Sequence, residues 1–201
     1  MLNLILISPN KLSPSLFHTY SLTMFEGNPI VVDHIHIPSD NPFFLAIISI
    51  HIIAAFICVL SGVIAMFANK QPGIHPKAGS IYFWSLLIVF VTVTVIAIGR
   101  WKEDYYLFLL GLISFGLAFI GRIARKKLWQ KWSILHISCM GLSYIILITA
   151  FYVDNGKFLP IWENFPSLVY WVLPSLIGVP IIIRTLFRHP LSKDYFKRVD
   201  E

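Results

Sequence analysis

Three histidines carry the chemistry that this chain could do. His51 and His136 each stand inside a long apolar run, and His75 stands in the short loop ahead of another such run. An imidazole can hydrogen-bond across helices, ligate iron, copper or zinc, or carry a proton near neutral pH. Placing an ionisable side chain in hydrocarbon costs roughly 2.5 kcal/mol or more on insertion scales, so such a residue turns inward and often has a job. A structural bond, a metal or haem ligand and a proton or substrate contact are all open readings for each histidine. No carboxylate stands inside an apolar run to complete a proton path, which argues against an ion-coupled transporter.

The elements that must position these residues are membrane spans. Of 201 residues, 57% are hydrophobic and 13% charged, against about 45–50% and about 25% in soluble domains. The apolar residues gather into runs long enough to cross a hydrocarbon core of about 30 Å as helices. Five spans are expected, at residues 42–67, 78–99, 105–121, 132–153 and 166–187, so the fold class is an all-α, polytopic transmembrane bundle over 42–187. Strands of a membrane barrel would alternate apolar and polar residues, and these runs do not. Residues 1–41 contain Pro9, Pro14, Pro29 and Pro38 without sustained periodicity, and read as a loosely ordered extracytoplasmic extension. Residues 188–201 read as a short basic cytoplasmic tail. Met1–Ser8 has no basic n-region and no convincing cleavage site, so it does not read as a signal peptide. Met24 stands as an alternative start to Met1.

The loops set an orientation. Lys70 and Lys77 follow span one, Arg122, Arg125, Lys126, Lys127 and Lys131 follow span three, and Arg188, Lys193, Lys197 and Arg198 follow span five. The other side mixes Arg100, Lys102 and Lys157 with Glu103, Asp104, Asp154 and Glu163. The Lys/Arg bias places the N-terminus outside and the C-terminus inside. It also accounts for the net charge of +6 without any affinity for nucleic acid. Tryptophans and tyrosines at the span ends form the expected interfacial belt.

Helical spacing then places the histidines. His51 shares a stripe with Ala54, Cys58, Gly62 and Ala65, and His136 heads a stripe with Cys139, Ser143 and Ala150. Small residues at this spacing allow close helix approach, so both histidines are expected to face the bundle interior. His51 lies about 13 Å inside its span, and His136 lies about one turn from the inner end of its own. His75 is nearer in depth to His136. It is the better match for a shared ligand, with His51 belonging to a separate or deeper site. Pro174 and Pro180 are expected to kink span five, and Asp154-Asn155-Gly156 to stop span four. Cys58 and Cys139 lie within spans, poorly placed for an exposed disulfide. No CxxC, P-loop, GxGxxG, HExxH or GxSxG motif occurs.

Two segments carry a resemblance. HIIAAFICVLSGVIAMFANKQPGIHPKAGSIYF holds His51, Gly62, His75, Gly79 and Tyr82. HISCMGLSYIILITAFYVDNGKFLPIW holds His136, Met140, Ser143, Tyr144, Asp154, Asn155, Gly156 and Pro160. Over roughly residues 45–187 the chain resembles the bacterial predicted membrane proteins grouped as domain of unknown function 2306. That family usually has His-Arg in the inner loop and an arginine after the following glycine, where this chain has His75-Pro76-Lys77 and Gly79-Ser80. The resemblance implies a histidine-bearing bundle in a bacterial inner membrane and no particular reaction. The expectation drawn from all of this is an integral membrane protein with a buried histidine-lined site. Its ligand is expected to be haem b or another metal, held by His51, His75 and His136, for membrane redox chemistry. A bundle without cofactor, acting as a small-solute transporter or as an accessory subunit, is the alternative. The partners expected are the lipid bilayer and a membrane protein or a second copy of the chain.

Overall fold

Backbone amides in hydrocarbon are satisfied only inside a helix or a closed barrel, and each apolar run forms one helix. In the computed structural model these are α1 (Pro42–Phe67), α2 (Ile74–Gly99), α3 (Trp101–Lys126), α4 (Trp132–Asn155) and α5 (Ser167–Arg188). All five are long and apolar enough to cross a membrane. The structure describes residues 27, 30–32, 35–37, 39–69, 72–160, 162–189 and 192. The readings of Met24, of most of the N-terminal extension and of the tail beyond residue 192 fall outside them.

Local chemistry fixes the ends. The Asn41 side chain accepts a hydrogen bond from the Phe43 amide at 2.9 Å, and Pro42 opens α1, a first-turn position where its missing N–H is no loss. Pro76 sits in the first turn of α2 for the same reason. The helix therefore begins at Ile74 and takes in His75, rather than starting at Ala78 with the apolar run. Likewise α3 outruns its apolar stretch at both ends. Glu103 and Asp104 lie in its first turn, and Arg125 and Lys126 in its last, each sign matched to the helix dipole. The chain leaves α4 at Asn155 into a 3-10 turn, Gly156–Phe158. The last helix, α5, continues through Pro174 and Pro180. Ahead of α1, Ile30–Val32 and Ile35–Ile37 pair antiparallel, with Val31 opposite His36. These two β-branched runs are a feature that the all-α reading did not include.

Only Arg100 separates α2 from α3, and the other links are short, so consecutive helices run antiparallel. Packing follows the chain, with α1 on α2, α2 on α3, α3 on α4 and α5 on α4, while α1 meets α4 along a narrower strip. The core lies among the first four helices, around Cys58, Tyr82, Phe83, Leu86, Ala118 and Leu147. Gly62 makes the α1–α4 approach possible, because a Cβ there would lie 2.5 Å from the Tyr144 ring.

This arrangement sorts charge. One end of the bundle gathers Lys77, Arg122, Arg125, Lys126, Lys127, Lys131, Arg184 and Arg188, with no Asp or Glu among the described residues. The opposite end carries Arg100, Lys102, Glu103, Asp104, Asp154 and Lys157, with Arg100 and Asp104 paired at 3.7 Å.

Candidate functional site

Both α2 and α4 start at the basic end, so they run parallel, and each brings a histidine in early. His75 lies in the first turn of α2 and His136 in the second turn of α4. Their ring centroids are 6.4 Å apart, with the planes at 84°. One nitrogen of each ring is held on a backbone carbonyl. His75 Nδ1 donates to the Ala65 carbonyl at 2.8 Å. Ala65 lies in the last turn of α1, where carbonyls lack an intrahelical partner. His136 Nδ1 donates to the Gly121 carbonyl of α3 at 3.0 Å. Gly121 lets α4 come close enough for this bond, because a Cβ there would crowd Cys139 and Met140 at 3.1–3.2 Å. A neutral imidazole that donates through Nδ1 carries its lone pair on Nε2. Anchoring of one ring nitrogen on a backbone carbonyl is how metal-ligating histidines are commonly oriented. Four helices thus contribute: α2 and α4 supply the rings, α1 and α3 the carbonyls that hold them.

Two turns deeper, the same helix pair makes a second polar rung. Tyr82 stands seven residues after His75, and Ser143 seven after His136. The Tyr82 hydroxyl and Ser143 Oγ are 2.7 Å apart. Ser114 of α3 donates to the Ser143 carbonyl at 2.9 Å, and the Tyr144 hydroxyl donates to the Val59 carbonyl of α1 at 3.3 Å. Tyr82, Ser114 and Ser143 are all buried. Their bonds satisfy one another, as groups removed from water must be, and they tie all four helices at mid-depth.

His51 is placed differently. Its Nδ1 is 2.8 Å from Thr92 Oγ1 on α2. The Thr92 hydroxyl itself lies 2.8 Å from the Ile88 carbonyl, to which it donates, so it accepts from His51. Among the described residues no three His, Cys, Asp or Glu side chains converge where one metal ion could sit. His75 and His136 are brought together, and His51 stands with Thr92.

Sequence reasoning placed Ser143 on the His136 stripe but did not see its bond to Tyr82. The signal was there in the equal seven-residue steps from His75 and His136. Thr92 had no such signal, since nothing in α2 marks it as the partner of a residue 41 positions earlier. His189 was also passed over. Its amide donates to the Thr185 carbonyl at the end of α5, close to a buried Ser192–Ser133 contact of 3.2 Å at the basic end.

Comparison with family models, curated proteins and solved structures gives no match.

Proposed function

We propose that this multi-pass membrane protein holds a redox-active metal at its basic end, with His75 and His136 as the protein ligands. One observation carries the reading: two imidazoles from different helices, 6.4 Å apart, each anchored through Nδ1 on a backbone carbonyl. Two imidazoles sharing one metal through bonds of about 2.0–2.1 Å place their ring centroids about 5–6.5 Å apart. A two-imidazole set is incomplete for structural zinc, which takes four protein ligands. It suffices for haem b iron, where the porphyrin supplies the remaining four. When bound, such a group exchanges single electrons with a membrane or soluble partner. The protein's part is to hold both rings in a fixed orientation through the Ala65 and Gly121 carbonyls.

The resemblance of residues 45–187 to predicted bacterial membrane proteins supports a bacterial inner membrane as the location. The Lys/Arg bias supports an N-terminus outside and the basic end inside. A cysteine introduced at Lys157 is then labelled by an impermeant maleimide in intact cells, and one at Lys127 only after permeabilisation. The reverse pattern inverts the orientation.

The test of function is a visible spectrum of the purified full chain before and after dithionite, with metal analysis of the same sample. A Soret band that shifts on reduction, or a stoichiometric transition metal, is the expected result. A featureless spectrum with blank metal analysis rejects the proposal and leaves transport or an accessory role.

A further inference from the structure

The face of α2 that points away from the histidine seam has its own pattern. Lys77, Ile81, Trp84 and Ile88 follow one another at helical spacing and are all exposed. Beside them α1 presents Ile50, Ile53 and Ile57. Between the two helices runs an open groove of about 460 Å³, walled by these isoleucines and Trp84. Its lining is almost wholly apolar, as an acyl chain requires. From Ser80 to Ile88 the groove follows α2 for about 12 Å.

The mouth of the groove is cationic. Lys77 lies one turn of α2 beyond Ile81, toward the basic end. From the other flank, the Arg122 guanidinium lies 4.3 Å over the Phe83 ring and 5.8 Å from the Trp84 ring. Phe83 and Trp84 meet edge to face at 5.5 Å, so the guanidinium rests on a fixed aromatic shelf beside the groove wall. Stacking engages the flat face of a guanidinium and leaves its in-plane N–H donors to reach an oxyanion. No described Asp or Glu stands at this end of the bundle to take that role.

We propose that the α1–α2 groove seats an anionic glycerophospholipid, with its phosphate between Lys77 and Arg122 and one acyl chain along the groove. The apolar wall alone would accept any lipid chain. Charge complementarity at the mouth selects an anionic headgroup, since each Lys or Arg near a membrane surface adds attraction for anionic lipid. Arg122 suits the phosphate better than a lysine would, because its fork can bond two phosphate oxygens at once.

The experiment uses the full chain in phosphatidylcholine vesicles containing a small fraction of brominated lipid, whose bromines quench tryptophans they touch. The Trp84 contribution, one of six tryptophans, is isolated by subtracting the signal of a Trp84→Phe variant. Brominated phosphatidylglycerol is expected to half-quench Trp84 at a mole fraction about tenfold lower than brominated phosphatidylcholine does. The Lys77→Gln/Arg122→Gln double variant should erase that preference, and Lys77→Gln alone, at an exposed position, should reduce it. Equal quenching of the wild type by the two lipids overturns the proposal. So does a preference that survives the double variant.

Discussion

Two histidine environments in one bundle make an instructive contrast. His51 gives its Nδ1 proton to a threonine hydroxyl whose own proton goes to its helix backbone. That chain of bonds ties α1 to the backbone of α2. His75 and His136 each spend one nitrogen on a carbonyl and bring their rings to within 6.4 Å of each other. All three satisfy the rule that an intramembrane ionisable group needs a partner. Of the three, only His75 and His136 bring imidazoles from two helices into one neighbourhood.

The contrast can be broken most directly at the proposed metal. His136→Ala or His75→Ala should remove essentially all bound metal or haem, while His51→Ala should leave the stoichiometry unchanged; metal analysis of the three purified variants reads both. Loss of metal in all three would merge the two environments into one site. A smaller effect is expected at the layer that separates them. Gly62→Leu drives a side chain into the Tyr144 ring, and overpacking of this kind is destabilising by about 1–3 kcal/mol. Thermal unfolding in detergent should show the loss, together with weaker metal retention. The smallest effect belongs to Thr92→Val, which removes the acceptor of His51 while keeping the shape. Interhelical hydrogen bonds in membranes average about 0.6 kcal/mol and reach about 1.7. The variant should lose stability in that range and keep its metal.

The five helices were legible because hydropathy measures directly what the bilayer demands. Their ends were less so. At His75-Pro76 the apolar run had not yet begun, although the helix had, because first-turn proline is compatible with helix. Trp101–Asp104 and Arg122–Lys126 are polar yet helical, since helix dipoles reward those charges where hydropathy reads a loop. The His75–His136 approach was readable from depth, as both lie early in parallel helices. Which atoms hold the rings was not, because Ala65 and Gly121 act through their carbonyls, which every residue has. The short pairing of Ile30–Val32 with Ile35–Ile37 was missed since three-residue runs show no usable period.

The two polar rungs between α2 and α4 share one offset: His75 is to His136 as Tyr82 is to Ser143. A chain built this way tolerates substitutions more readily than changes in length. One residue inserted between 75 and 82 would turn His75 by about 100° relative to Tyr82, and an equal insertion between 136 and 143 would turn His136 in the same sense, carrying the two facing rings apart rather than together. Over generations of sequence drift, these two seven-residue stretches should keep their lengths.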